Sequence, residues 1–569
     1  MKHLFLFITF GFVFSSEAQL FPAINYPTNY FRNPMGIPLQ LSANFGELRT
    51  NHYHMGFDIR TNQRENLPVY AAAEGYISRV KIERYGFGRA IYVNHPNGYT
   101  TLYAHLNNFY DPLNSFVKDK QYLEEQWEQD IVFAPGQFPV LKGQFIANSG
   151  NTGGSAGPHL HFEIRDTKTE NNLNPWLFNF NLADNIAPYI FRLFYYDRRY
   201  STYEVGPKEV KLKKAGSFYS SVENVVVLPT PAFSVGITAE DKTNTSPFLF
   251  GIYQAELFID DTARFGFRLN DFSYSDSRSV NGATDYKTKI NGGPYIQHLS
   301  RLPGNNSKIF AANAGDGVYI ITDTLIHSAE INVYDAAGNK SVTRFRFRYD
   351  SSGSKAITFA SNTITMLPNQ QNELKHDEIE VNFPPSAFYH TVPFVHIAQQ
   401  ANTLAAVSKG HLLHTIQVPV NDSFTVKIKT SLATNDPLRN KVVMQLLGND
   451  KKVATKGTWE DDWMVAKFWD LGKVQLLTDT IPPTIVLAGW RNNGNLKASK
   501  SLSFTIRDDV GEIKIFKALL DGKWLMFRRK SYSFIHDFDE RTSEGKHELQ
   551  VLVEDQAGNI TNKTYIFTR

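Results

Sequence analysis

Two stretches that lie far apart in the sequence end in the same strand-and-turn pattern, and this repetition limits the folds open to the C-terminal part. In each, an alternating strand pattern leads into Asp-x-Ala-Gly-Asn, at residues 335–339 and 555–559. Gly and Asn favour the positive φ angles of a tight hairpin. The openings also match, because residues 184–190 resemble residues 479–485. Repetition at both ends predicts two copies of one β module.

The chain is too long for a single hydrophobic core. Single cores rarely grow beyond about 250 to 300 residues, whereas this sequence has 569. Its 43 Phe and 27 Tyr favour strands, where aromatic rings pack on pleated surfaces. The predicted fold class is mainly β, with an antiparallel sheet domain followed by two or three β-sandwich domains. The predicted boundaries of these units are 39–175, 184–350 with insertions, 351–478 for a divergent β domain, and 479–569.

The N-terminus has the pattern of a secretory signal peptide. Lys2 precedes an apolar run at residues 4–14, and Ser16-Glu17-Ala18 forms a small-x-small cleavage site. The run is about half as long as a membrane-spanning helix requires, so no transmembrane segment is predicted. We expect a signal peptide at 1–18, an N-terminal segment at 19–38 and a periplasmic or extracellular location. The alternative for residues 4–14 is a buried strand.

The sequence contains no cysteine, which restricts its chemistry. Disulfides, a lipid-anchored cysteine and thiolate metal sites are excluded, so a metal site must use His and carboxylates. The formal net charge of +3 is small for this length. We therefore expect no dedicated nucleic-acid partner. Nothing in the sequence fixes the oligomeric state.

Two histidines share one face of a predicted strand at residues 157–163. Residues two apart point to the same side of a strand, so His159 and His161 converge while their apolar neighbours enter the core. Glu163 follows on the same face, where it either supports the histidines or is solvated. An isolated pair of this kind is as often two surface histidines.

Two further elements add ligand and acid–base groups. His54 and Asp58 lie four residues apart around Gly56. Two His and one carboxylate, with a fourth position for water, are typical of catalytic zinc. One His of the later pair would complete that set. His105 ends an alternating strand at residues 101–105, and it and the remaining histidine would be free for acid–base work or oxyanion stabilisation.

Together these elements resemble peptidase family M23, the lysostaphin and LytM type. His54-x-x-x-Asp58, Tyr103-Ala104-His105 and His159-Leu160-His161 occur in the family's order, over less than a quarter of the chain. The resemblance implies a zinc metalloendopeptidase that cuts peptides of peptidoglycan. It implies that His54, Asp58 and His161 are zinc ligands and that His105 and His159 are the catalytic pair. The repeated C-terminal modules resemble bacterial immunoglobulin-like domains.

The sequence departs from that family at about residues 107–141, a long insertion in which Leu123, Trp127 and Ile131 recur at a helical step. This step predicts a short helix or an extended hairpin, and we expect it to form one wall of the cleft. In some family members an Asn blocks the zinc, so latency through Asn25, Asn29 or Asn33 is a hypothesis. Of the other histidines, we expect that His52 could line the cleft and that His95 is a turn residue.

Two other functions stay open. One is a non-catalytic protein that binds the wall or activates another hydrolase, although the presence of all five site residues disfavours it. The other is a surface adhesin with a secondary peptidase, which clustered exposed aromatic residues on the β modules would favour.

Overall fold

The computed structural model describes residues 20–354, 363–401, 403–448 and 452–569. The predicted signal peptide lies outside the described residues and stays a prediction. Most of the described secondary structure is antiparallel β-sheet, so the mainly β prediction is confirmed. Within the described ranges, no helix has both the length and the apolar character needed to cross a membrane.

The N-terminal unit is built on a large antiparallel sheet that packs against a small one. In sheet order the principal strands of the large sheet are Leu41–Ala43, Phe57–Arg60, His159–Asp166, Tyr99–Ala104, Arg89–Asn94, Gly75–Ile82 and Gln129–Val132. The small sheet contains Pro68–Tyr70, Phe145–Asn148 and Asn108–Phe109. Phe57, Tyr103 and Ile146 lie in the core that the two sheets share, and Phe31 of the N-terminal segment closes it.

The register of the large sheet brings the predicted site residues together. His161 lies opposite Asp58 on one neighbouring strand and opposite Ala104 on the other. His105 follows directly after that second strand and has a φ of 60°, in the left-handed region that few residues other than glycine adopt. Gly56 is required before Asp58, because a Cβ at this position would lie 2.3 Å from the Phe162 carbonyl oxygen.

The insertion forms a helix and an edge strand, and the helix lies earlier in the chain than the residues for which the sequence predicts it. The α-helix is Leu113–Leu123, and its buried face consists of Leu113, Val117 and Gln121. Of the three residues of the predicted step, only Leu123 lies in this helix, where it is 84% exposed. Ile131 instead lies in the edge strand, because the chain pairs there with Gly75–Ile82.

Residues 184–350 form two facing sheets with a common core. The principal strands of the first are Lys208–Val210, Tyr189–Asp197, Ala232–Glu240 and Gln297–His298. Those of the second are Leu212–Ala215, Phe218–Ser221, Lys340–Tyr349, His327–Tyr334, Gln254–Ile259, Thr262–Arg268 and Phe310–Ala312. Two short helices, Val280–Ala283 and Tyr286–Ile290, lie between residues 270 and 313, a stretch that is rich in Gly and Asn. The strand Asp271–Phe272 pairs with Asn172–Leu173 and so joins this unit to the sheet that holds the site.

Two more two-sheet units follow. The unit after residue 363 contains, in one sheet, Asn372–His376, Ile379–Phe383, Phe424–Lys429, Trp463–Phe468 and Thr458–Glu460, and in the other His396–Gln399, Gly410–Leu413, Gly472–Thr478, Val442–Leu447 and Lys452–Thr455. The last unit contains Thr484–Leu487, Ser501–Arg507, Ser533–Asp537 and Arg528–Lys530, facing Gly494–Asn495, Ile560–Thr568, Lys546–Glu554, Ile515–Leu520 and Lys523–Trp524. The domain boundaries that were drawn from the sequence stay predictions.

The repeated turns have the same internal contacts. Gly338 and Gly558 have φ angles of 95° and 76°, as the turn requires. The following asparagines do not share this left-handed conformation. Instead, the side-chain amide of Asn339 donates to Asp335 Oδ2 at 2.8 Å, and Asn559 does the same to Asp555. The Asn of the motif therefore binds the Asp carboxylate through its side chain and does not supply a left-handed backbone conformation.

Candidate metal centre

Three side chains from two neighbouring strands and the loop before them converge on one point. His54 Nε2 and His161 Nδ1 each lie 2.9 Å from Asp58 Oδ1, and the two nitrogens lie 3.2 Å apart. One ligand atom from each residue therefore falls within 4.8 Å of the others, a group that could hold a metal ion. Two imidazoles and one carboxylate form the donor set that zinc prefers when cysteine is absent.

The opposite nitrogen of each imidazole has its own acceptor. His54 Nδ1 lies 2.6 Å from the Asn44 carbonyl oxygen, and His161 Nε2 lies 2.9 Å from Glu163 Oε1. Each of these oxygens accepts a hydrogen bond from the ring N–H. The lone pairs of His54 Nε2 and His161 Nδ1 are therefore directed at the shared point. The tautomers thus fit metal coordination.

Glu163 is fully buried and is the centre of a polar network. Its Oε2 accepts from Arg165 Nε at 2.8 Å, and its Oε1 accepts from the Tyr274 hydroxyl. Burial favours the neutral acid, but Arg165 and His161 lower the pKa of Glu163 to about 2. The interpretation of Glu163 as a supporting residue fits this structure, and the solvated alternative is wrong.

Two pKa shifts show that the carboxylates and the histidines of this group stabilise each other's charged forms. Burial disfavours the charged form of Asp58, but His54 and hydrogen bonds from His159 and His161 hold its pKa well below the usual value. Burial also lowers the pKa of His161, yet its hydrogen bonds with Asp58 and Glu163 raise it overall to about 9. A cation at His161 Nδ1 would replace that proton and be stabilised by the same carboxylates.

The two remaining histidines lie beside this group. The rings of His105 and His159 are 4.7 Å apart, and His159 Nε2 lies 3.3 Å from Asp58 Oδ1. His105 Nδ1 donates to the Thr152 carbonyl oxygen at 2.9 Å, and His159 Nδ1 donates to that of Gly157 at 2.8 Å. Burial and the charges of His161 and His159 lower the pKa of His105 to about 3. His105 is therefore neutral at pH 7, with Nε2 as a hydrogen-bond acceptor.

The five residues line an open cleft of about 1110 Å³. None of residues 107–141, all of which the structure describes, lines it, so the expected wall is not formed by the insertion. Phe248 and Tyr274 of the second unit take that place, and Arg60 lies under the Phe248 ring at 5.3 Å. The insertion instead faces the last unit, where Lys118 pairs with Asp539.

The other sequence candidates have different places. His52 lines the cleft, as expected, whereas Asn29 and Asn33 do not. Asn29 Oδ1 accepts from Asn179 at 3.4 Å, and Asn33 bonds the backbone of Met35 and Ile37. His95 precedes a turn but is only 6% exposed, since it bonds the Glu74 carbonyl oxygen and Thr101.

Three contributors to the site were not predicted from the sequence. Arg165 lies two residues after Glu163 on the same strand face, and this spacing was a usable signal. Asn44 and Tyr274 carried no local signal, because Asn44 acts through its carbonyl oxygen and Tyr274 comes from a distant part of the chain.

Comparison with known proteins places similarity at two parts of the chain. The model of peptidase family M23 matches residues 52–126 and 129–175, and a Zu5-like domain model matches residues 363–479. The DD-carboxypeptidase/endopeptidase Mpg of Neisseria meningitidis is 31% identical over 152 residues, which are 27% of this chain and 26% of that protein. The peptidoglycan DD-endopeptidase ShyA of Vibrio cholerae is 29% identical over 139 residues, 23% and 26% of the two chains.

Among solved structures, the catalytic domain of lysostaphin from Staphylococcus simulans is 24% identical, with a TM-score of 0.19. The match covers 24% of this chain and 92% of that domain. The chain spans about a quarter of the length of the curated relatives named above.

Proposed function

We propose that this chain, which carries a peptidase family M23 domain at residues 52–126 and 129–175, is an exported zinc metalloendopeptidase that hydrolyses peptide cross-links of peptidoglycan. The observation that carries the proposal is the convergence of His54, Asp58 and His161 in an open cleft, with two further histidines beside them. The peptidoglycan-acting relatives support the substrate class.

His54, Asp58 and His161 would hold the zinc ion. The fit rests on the donor set and on the fixed tautomers of the two imidazoles, with Asn44 and Glu163 as acceptors behind them. When bound, zinc supplies Lewis-acid chemistry, in which a water becomes acidic near neutral pH and the scissile carbonyl is polarised.

The remaining groups position and transfer protons. His105 donates through Nδ1 to Thr152 and so presents Nε2 as an acceptor for a proton from the attacking water. His159 is held by its Nδ1 hydrogen bond to Gly157 and has its Nε2 beside Asp58, where it can orient that water. Once protonated, either imidazole can donate to the developing oxyanion or to the leaving amine. No carboxylate is required as the general base.

The cleft suits an extended peptide chain. It is open and contains both charged and aromatic side chains, including Arg60, Phe248 and Tyr274. A polar, elongated ligand can lie across such a surface without full burial. Export follows from the predicted signal peptide and from the location of the substrate class.

The test compares zinc content and muropeptide release for the mature chain and its His161→Ala variant. His161→Ala removes a ligand without enlarging a side chain, so we expect about one zinc per chain in the parent and loss of both zinc and digestion in the variant. The matched control is His376→Ala, which removes an exposed histidine from a distant strand and should change neither. Zinc binding without digestion of any cell wall would contradict the proposed peptidase activity and favour the wall-binding alternative.

A further inference from the structure

Three aspartates meet inside the unit formed by residues 184–350. One carboxylate oxygen from each of Asp184, Asp241 and Asp335 lies within 4.8 Å of the other two. Asp241 and Asp335 are 4% and 3% exposed, so these are not solvated surface acids. Three like charges at this separation repel one another strongly in a protein interior.

The same arrangement occurs in the last unit. Asp479, Asp508 and Asp555 also place one oxygen each within 4.8 Å of the others. The positions correspond, because Asp184 and Asp479 open the repeated segments and Asp335 and Asp555 begin the repeated turns. Asp241 follows directly after the strand Ala232–Glu240, and Asp508 follows directly after the strand Ser501–Arg507.

In both units a buried carboxylate oxygen lacks a partner. Asp241 Oδ1 and Asp184 Oδ2 have no hydrogen-bond partner in the first unit, and Asp508 Oδ1 has none in the last. Leaving a buried carboxylate oxygen unpaired costs several kcal/mol, on the order of the desolvation penalty of an ion. Burial and the charges of Asp335 and Asp184 raise the pKa of Asp241 to about 8. The site therefore lacks positive charge.

We propose that each of the two units binds one calcium ion through its three aspartates. The donors are all oxygen atoms, which hard cations prefer, whereas the zinc centre of this chain offers two imidazole nitrogens. Calcium–oxygen distances are about 2.3 to 2.6 Å, so two ligands on opposite sides of the ion lie about 5 Å apart. The three oxygens lie within 4.8 Å of one another, which is inside that limit.

The first site is connected to the peptidase domain by the loop that begins at Asp241. The loop closes on itself, because Asp241 and Phe250 form an isolated β-bridge. Within this loop, Ser246 donates to the Leu41 carbonyl oxygen at 2.8 Å. Directly after the loop, Gly251 exchanges two hydrogen bonds with the Asn44 side chain. Asn44 is the residue whose carbonyl oxygen accepts from His54. An ion at Asp241 would therefore fix the loop that supports the zinc centre.

The experiment counts bound calcium in the full mature chain by equilibrium dialysis with radioactive calcium. The protein is stripped with a chelator and given back one equivalent of zinc, and calcium is raised to about 5 mM, above the usual range of 10⁻⁴ to 10⁻³ M for extracellular modules. The variants are Asp241→Asn, Asp508→Asn and the double variant. Asp537→Asn, an exposed acid of the last unit, is the control.

We expect two ions in the parent and the control, one in each single variant and none in the double variant. Calcium should raise the melting temperature of the parent. Each Asp→Asn change should also raise the melting temperature in the absence of calcium, because it removes one of three carboxyl groups that repel one another when ionised. A variant that only damages the fold would lower that temperature instead. If the parent binds no calcium, the proposal is wrong. If one single variant binds as many calcium ions as the parent, the site that contains the substituted aspartate does not bind calcium. These counts do not depend on peptidase activity.

Discussion

At the residue scale, Glu163 links the candidate zinc centre to the second unit. Its carboxylate accepts from His161, Arg165 and Tyr274, and it has no exposed surface. Tyr274 lies in the second unit and is 45% exposed on the side of the cleft. The orientation of His161, a proposed metal ligand, is therefore coupled through Glu163 to a hydroxyl group from a residue more than a hundred positions away in the chain.

Tyr274→Phe should weaken zinc binding. The change removes a hydroxyl that fixes Glu163, the direct partner of His161. Loss of a direct partner typically costs about 10- to 100-fold in metal affinity, so we expect a loss at the lower end of that range for a residue one hydrogen bond further out. The zinc Kd measured against a competing chelator checks this. Tyr85→Phe, which removes a surface hydroxyl bonded to Glu512, is the control and should leave the Kd unchanged. An unaltered Kd in Tyr274→Phe would mean that Arg165 alone fixes Glu163.

At the element scale, the inserted helix Leu113–Leu123 docks on the last unit. Lys118 Nζ lies 2.8 Å from both Asp539 and Glu540. The Tyr122 ring meets Trp524 edge to face at 5.1 Å, with the Arg541 guanidinium 3.9 Å from its centre. The N-terminal unit thus contacts the last unit through a segment that does not line the cleft, and Arg84 and Tyr85 add a second contact with Glu512.

Tyr122→Ala should weaken the contact between the last unit and the peptidase domain. Aromatic and cation–π contacts of this kind are worth about 1 to 3 kcal/mol together. We expect a larger radius of gyration by small-angle X-ray scattering, with peptidase activity retained because the helix lies outside the cleft. Leu123→Ala, on the same helix but 84% exposed, is the matched control. An unchanged radius in Tyr122→Ala would show that the charged pairs suffice.

The sequence predicted elements whose pattern is local and missed those set by distant contacts. The strand that carries His159 and His161 was predicted because alternation fixes which side chains share a face. The helix was misplaced because its buried face, from Leu113 to Gln121, includes a polar residue that no apolar repeat reveals. The wall of the cleft was assigned to the wrong segment, since Phe248 reaches it only through packing of separate units.

At the scale of the whole molecule, neutral histidines cluster in the unit matched by the Zu5-like model. Burial lowers the pKa of His411 and His414 to about 4 and that of His390 to about 3. Neighbouring positive charge adds to this, with Arg198 acting on His390 and Lys287 on His414. Both of these cations belong to the preceding unit, so the contact between the two units requires uncharged histidines.

This unit should lose stability as the pH falls from about 6.5 to 4. Between those values the unfolded chain binds protons that the folded histidines do not, so the free energy of unfolding decreases as the pH is lowered, by about 1 to 2 kcal/mol per histidine at pH 5. Hydrogen exchange at pH 7 and pH 5, corrected for intrinsic rates, should show faster opening of strands such as Gly410–Leu413. His411→Gln introduces a side chain that stays neutral throughout this range. It should reduce the pH dependence of the free energy of unfolding by the contribution of one histidine. Equal protection at both pH values would contradict this prediction, because three imidazoles with lowered pKa values cannot remain neutral in acid without a cost to the folded state.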